Sequence, residues 1–206
     1  MSYLFNFLLK ISELKDIERK GITFYGVKKP DSAADHSFRM ALMVWIFGKE
    51  KRLNIERAIK MALIHDVAKV HTGDITPYDG LLPKEAKEKS EFVRKWRRLS
   101  LEEKGKRHRE KLGKENNALE KLLSNLPPSL TNDLRAVWLD YHQRESREAK
   151  FVHQIDVLEN LLEALEMWKK DSSFPTDPWW EHADEVIEDS DLLEFLKEIE
   201  KEERKH

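Results

Sequence analysis

Apolar residues recur at helical spacing along almost the whole chain, and few residues interrupt them. Leu4, Phe7, Leu8, Ile11, Leu14 and Ile17 fall on one face of a helix over residues 3–18. Phe38, Leu42, Trp45 and Ile46 repeat the pattern up to Gly48, and Leu158, Leu161, Leu162 and Leu165 repeat it again. Only seven glycines and seven prolines punctuate 206 residues, so the elements must be long and the turns few. No segment alternates as a strand would. The pattern predicts an all-α bundle, long enough to bury one substantial core.

Local signals set the helix ends. Ser32 and Asp35 have the spacing of a capping box, with Asp in place of Glu or Gln. Asn54 can cap a helix from Ile55 to about Val70. Gly73-Asp74-Ile75-Thr76-Pro77 must be a loop. Further helices are expected over 115–126, 129–142 and 147–168, with Pro127-Pro128 ending the first of these. Phe174 to Trp180 reads as a turn rich in Pro and Trp.

Charge divides the second half of the chain. Residues 84–114 hold 13 Lys or Arg against 6 Asp or Glu, whereas 181–206 hold 11 acids against 4 bases and read as one last acidic helix. The net charge of −2 gives no general attraction to nucleic acid or acidic membrane. The N-terminal segment lacks the basic start and small-residue cleavage site of a signal peptide. The longest apolar run, Met40 to Phe47, is far too short to cross a membrane. A cytoplasmic protein is expected. With no cysteine, thiolate ligands and nucleophiles are excluded, so a metal could be held only by His and carboxylates.

Four residues of that kind stand out. His65 and Asp66 follow the apolar run Ala58 to Ile64, at the buried end of a helix, where an ionised Asp needs a partner. A divalent cation is one such partner, and a network of hydrogen bonds is the other. His36 lies in the first turn of the preceding helix. Antiparallel packing of consecutive helices would bring it to face His65-Asp66. Asp156 sits on or beside a strongly apolar helix face, where an acid is unexpected. Two imidazoles and two carboxylates would suit one divalent ion of Co, Mn, Ni, Zn, Fe or Mg, with positions open for water and a phosphate oxygen.

This pattern resembles the H…HD…D signature of the HD-domain metal-dependent phosphohydrolases. The nearer resemblance is to the branch containing the 5'-deoxynucleotidases and the HD domain-containing protein 2 group. Pro30-Asp31-Ser32-Ala33-Ala34-Asp35-His36-Ser37 is similar to the branch's PESVADHS segment. Leu63-Ile64-His65-Asp66-Val67-Ala68 with Gly73-Asp74-Ile75-Thr76-Pro77 resembles LIHDLAE…GDITP, and Glu148 to Asp156 resembles EAKFVKQLD.

The resemblance implies a single HD-domain helical bundle over residues 1–206. It also implies a homodimer and hydrolysis of nucleoside 5'-monophosphates to nucleoside and phosphate. By position, His36, His65, Asp66 and Asp156 become metal ligands, and Asp74 becomes the residue that orients or deprotonates the attacking water. Three departures bear on substrate. Lys69 stands where nucleotidase members usually carry Glu, and could hold a phosphate oxygen or protonate a leaving alkoxide. Ile22 replaces a sugar-contacting Trp, although Arg19 remains nearby to bind phosphate. Residues of about 87–109, with Arg94, Lys95, Trp96, Arg97, Arg98, Lys106, Arg107 and Arg109, read as a basic insertion. It is either a lid that attracts anions or a solvated helical hairpin. The competing functions are an HD phosphodiesterase or nucleoside-triphosphate hydrolase, and a non-catalytic nucleotide or nucleic-acid binding module.

Overall fold

The computed structural model describes residues 2–76, 79, 83 and 100–203. Helices dominate, and among the described residues the only extended pairing is one isolated antiparallel bridge, Glu18 to Ser32. The all-α expectation holds. Backbone contacts group the chain into two compact units. One comprises Met1–Ser37 and Ile64–Trp138, the other Phe38–Leu63 and Leu139–His206.

In the first unit, α1 (Ser2–Ile11) runs into a 3₁₀ turn over Ser12–Asp16, so the helix expected over 3–18 tightens at its end. A single turn, α2 (Lys20–Thr23), interrupts the connector that follows. The next helix, α3 (Ala33–Gly48), opens on the expected capping box. Asp35 N donates to Ser32 Oγ at 3.2 Å, and Ser32 N donates back to Asp35 Oδ2 at 3.0 Å. Helix α4 (Ile55–Ile64), which lies in the second unit up to Leu63, has the expected cap, Arg57 N to Asn54 Oδ1 at 3.0 Å, but stops six residues short of Val70. A turn then leads to α5 (Lys69–Thr72).

Helix α6 (Leu101–Leu123) is longer than its apolar pattern predicted. It starts in the basic segment, where Ser100 Oγ accepts from Glu103 N at 3.1 Å. The basic half of α6 is a solvated face: Lys106 and Arg109 are exposed and Arg107 pairs with Glu103 at 2.8 Å. Arg94, Lys95, Trp96, Arg97 and Arg98 lie outside the described residues. Pro128 begins α7 (Pro128–Gln143), where its missing N–H costs nothing. The buried stripe Ala118, Leu119, Leu122 and Leu123 packs α6 against α5.

The second unit centres on α8 (Arg147–Lys170), which is buried along most of its length, with Glu159 and Glu163 among its buried residues. The expected single acidic helix over 181–206 is two, α9 (Asp177–Val186) and α10 (Ser190–Glu203). Gln154 Oε1 on α8 accepts from both Glu188 N (2.7 Å) and Asp189 N (2.8 Å), which takes those amides out of any helix. Asp189 Oδ1 then caps α10 through Asp191 N at 3.1 Å. Among the described residues no helix is long and apolar enough to cross a membrane.

Asp140 ties three pieces of this unit together. Its Oδ2 takes two bonds from Arg57, at 2.7 and 3.1 Å, and its Oδ1 accepts from Ser146 N ahead of α8. Burial alone would raise its pKa, but the bonds from Arg57 and Ser146 outweigh that and lower it. A carboxylate depressed in the folded state stabilises above its unfolded pKa and loses that contribution as pH falls through the folded pKa. Asp140→Asn should therefore cost about 1 kcal/mol in urea unfolding at pH 7, since Arg57 is partly solvated. The gap to wild type should close below the ordinary carboxylate range.

Candidate metal centre

The position of His65 and Asp66 follows from one hydrogen bond. In a continued α-helix the His65 carbonyl would accept from Lys69 N. Instead it accepts from the indole Nε1 of Trp138 at 3.1 Å, and Lys69 N turns to Asp66 O at 3.0 Å. Val67 N bonds Ile64 O and His71 N bonds Ala68 O, again three residues back. The segment is thus a run of tight turns, and the expectation of a helix through Val70 fails because a distant side chain competes for the backbone.

That turn brings charged groups together in a nearly dry place. The His36 and His65 rings meet edge to face with centroids 5.1 Å apart, and both residues are buried. Lys69 is only 7% exposed, which rules out a surface lysine at a helix end. Its Nζ lies 2.8 Å from Asp66 Oδ2 and 2.6 Å from Asp74 Oδ1. Asp66 Oδ2 is also 3.4 Å from His65 Nε2. Gly73 turns the chain here with φ +67°, a conformation costly for any residue with a Cβ, and delivers Asp74 to Lys69. The second oxygen of Asp74 accepts from Lys20 N at 2.8 Å, at the start of α2.

The charges sustain one another. Burial would raise the pKa of Asp66, but His65, Lys69 and His36 hold it well below the usual carboxylate range. Burial would likewise raise Asp74, and Lys69 together with the Lys20 amide keeps it low. Burial would lower Lys69, yet Asp66 and Asp74 raise it, against an opposing push from Arg19. Lys69 is a fixed cation between two carboxylates, and Arg19 is close enough to be felt. Ile22, in contrast, is 2% exposed and belongs to the core. His71 is exposed on α5.

Asp156 is held by its own neighbours: Tyr141 OH donates to Oδ2 at 2.7 Å and Asn160 Nδ2 donates to Oδ1 at 2.9 Å. Of the four expected ligands, His36, His65 and Asp66 lie in the first unit and Asp156 in the second. Two imidazoles and carboxylates are a donor set that suits a divalent cation. Asp66, expected as a fourth ligand, is turned toward Lys69 and His65 in this structure.

Sequence reasoning missed Trp138, Tyr141 and Asn160, for which no local signal exists. It also missed Glu115, which a helical count places on the apolar stripe of α6. Breaking a buried ion pair by removing one partner costs about 3–5 kcal/mol. Lys69→Met should therefore lower the unfolding free energy of metal-free protein by roughly that amount, because it strands two carboxylates. Urea unfolding after chelation measures it, and Lys60→Met, at an exposed surface pair, is the control.

Residues 11–188 match the family model for the HD domain. Over 163 residues the chain is 36% identical to mouse "5'-deoxynucleotidase HDDC2", covering 79% of this chain and 69% of the mouse protein. It is 32% identical to the fission yeast "5'-deoxynucleotidase hdd1" over 168 residues, covering 80% and 72% respectively. A solved structure from Pyrococcus horikoshii OT3 superposes with TM-score 0.61 at 26% identity, covering 95% of each chain.

Proposed function

We propose that this chain, which belongs to the HD-domain family, is a metal-dependent 5'-nucleotidase. Its reaction is hydrolysis of (deoxy)ribonucleoside 5'-monophosphates to nucleoside and phosphate. The observation that carries this reading is the buried His36–His65 pair beside the Asp66–Lys69–Asp74 ion cluster. Relatives that bear the name 5'-deoxynucleotidase support the substrate class.

His36, His65 and Asp156, with Asp66 joining on binding, would hold one divalent ion. When bound, the ion supplies Lewis acidity for a phosphate oxygen and lowers the pKa of a water. The protein's own groups do the rest. Asp74, ionised and fixed by Lys69 and the Lys20 amide, orients the attacking water and accepts its proton. Lys69 offsets one of the two negative charges of Asp66 and Asp74, which lessens the repulsion met by a dianionic phosphate. Arg19, whose charge already acts on Lys69, adds positive potential for the phosphate. Tyr141 and Asn160 aim the Asp156 carboxylate, as partners behind a metal ligand commonly do.

We also read the protein as a cytoplasmic homodimer with one HD domain running through the chain. Support for the dimer is an apolar stripe on α3, where Phe38, Trp45 and Ile46 are 69%, 60% and 65% exposed and Leu42 lies between them. Such a stripe suits burial against a second copy.

Wild-type protein loaded with Mn or Co should release inorganic phosphate from dAMP, dGMP and dTMP. No turnover of any monophosphate across several metals refutes the assignment, and a nucleotide or triphosphate product shifts it to phosphodiester or triphosphate hydrolysis. His65→Ala should abolish both metal retention and turnover. Asp74→Asn should retain metal and lose on the order of 100-fold in kcat.

For the dimer, light scattering should give twice the chain mass for wild type. A Trp45→Glu, Ile46→Glu double variant should run as a folded monomer. A monomeric wild type at micromolar concentration rejects the interface.

A further inference from the structure

Lys20 meets the ion cluster through its backbone and leaves its side chain to another task. Its N–H donates to Asp74 Oδ2 at 2.8 Å, from 54 positions away in the chain. Its carbonyl accepts from Thr23 Oγ1 at 2.9 Å and from Phe24 N at 3.2 Å. Ile22, two residues on, is sunk in the core. Both backbone groups of Lys20 are therefore committed, and the residue is fixed beside Asp74.

The ammonium is held far less firmly. Lys20 Nζ lies 3.7 Å from Asp79 Oδ2, with the two side chains 45% and 39% exposed. That separation is longer than a hydrogen bond, and an ion pair so exposed contributes little. Lys69 differs on both counts, with contacts of 2.6 and 2.8 Å from a buried side chain. Asp79 is itself fixed by a turn. Its Oδ1 accepts from Thr76 Oγ1 at 2.8 Å, and its N–H donates to Thr76 O at 3.2 Å. A fixed carboxylate thus holds a flexible cation loosely at the edge of the cluster.

We propose that Lys20 is a further substrate-binding residue, whose ammonium takes a phosphate oxygen of the incoming monoester in competition with Asp79. The role rests on the nucleotidase reading above. Charge gives the reason. Asp66, Asp74 and Lys69 sum to −1, and Lys69 is already shared between its two carboxylates. A dianionic phosphate beside them needs a cation that is able to turn toward it. The lysine stem carries Nζ up to about 6 Å from its Cα, and the amide of the same residue touches Asp74. A phosphorus about 3–3.5 Å beyond a water on Asp74 is within reach of that sweep. Binding then exchanges a long contact between exposed groups for a charge-assisted hydrogen bond to phosphate. Lys20 acts on binding and leaves the chemical step to the groups of the metal centre.

Kinetics and phosphate binding together test the role. In the Mn-loaded enzyme, Lys20→Met, which keeps the stem, should raise KM for dAMP about tenfold and change kcat less than about threefold. Lys20→Arg, which keeps the charge, should hold KM within about threefold of wild type. Asp79→Asn, which releases the ammonium, should lower KM about twofold. Added to Lys20→Met, the same substitution should change nothing further, because its effect runs through Lys20. Calorimetric titration of the Mn-loaded protein with inorganic phosphate needs no turnover, and Lys20→Met should weaken that affinity about tenfold. Unchanged KM and phosphate affinity in Lys20→Met, in an active enzyme, overturn the role of Lys20 and leave the nucleotidase reading standing. A rise in KM for Asp79→Asn equal to that for Lys20→Met also overturns it, since the pair is then only structural. A wild type that hydrolyses no monophosphate, yet binds phosphate through Lys20, overturns the nucleotidase reading and the substrate role with it. Metal content and thermal unfolding equal to wild type in Lys20→Met establish that the change in KM is one of binding. If Lys20→Met does not fold, Lys20→Gln and Asp79→Asn decide by the same two measurements.

Discussion

A buried ammonium held between two carboxylates is the constraint on which the first unit depends. Asp66, Lys69 and Asp74 come from a tight turn, a one-turn helix and the loop behind it. None of these short pieces would hold its shape by helix propensity, because a single turn fixes many torsions for few hydrogen bonds. The ion cluster supplies what propensity does not. Charges of this kind bind strongly only when they satisfy one another, since desolvation otherwise exceeds the Coulomb gain. Here one cation faces two anions. Asp74 adds a backbone donor, Lys20 N, and Asp66 has a histidine at its side.

The cluster in turn depends on Trp138. By taking the His65 carbonyl, the indole stops α4 and turns the chain so that Asp66 and Lys69 share one spot. An uninterrupted α-helix would also place residues 66 and 69 on neighbouring positions. It would not release the Lys69 amide to the Asp66 carbonyl, nor end four residues later at Gly73.

The division between what could and could not be read from the sequence follows the range of each interaction. Ser32 with Asp35, and Asn54 with Arg57, act within three residues, so their spacing suffices to place the starts of α3 and α4. Ser100 also acts locally, yet the basic composition around it obscured the start of α6. The end of α4 is set by a residue 73 positions away, and the break between α9 and α10 by Gln154, more than 30 positions away. No window on the sequence contains both partners. The His and Asp residues of the site were legible because their types are chemically restrictive. Tyr141 and Asn160 were not, because those types serve many ordinary purposes and only proximity to Asp156 gives them meaning.

Charge accounting gives the substitution at Lys69 its sense. With a carboxylate at that position beside Asp66 and Asp74, three acids would crowd one buried turn, and a dication would have to offset them before any phosphate could approach. Lys69 removes one negative charge from that total and adds a positive one. The cluster it forms carries a net charge of −1 from Asp66, Asp74 and Lys69. The cation is committed to its two partners, whose charges raise its pKa against the opposing effect of burial. A group in that state stabilises charge but parts with its proton reluctantly. Lys69 is locked as a cation by its neighbours.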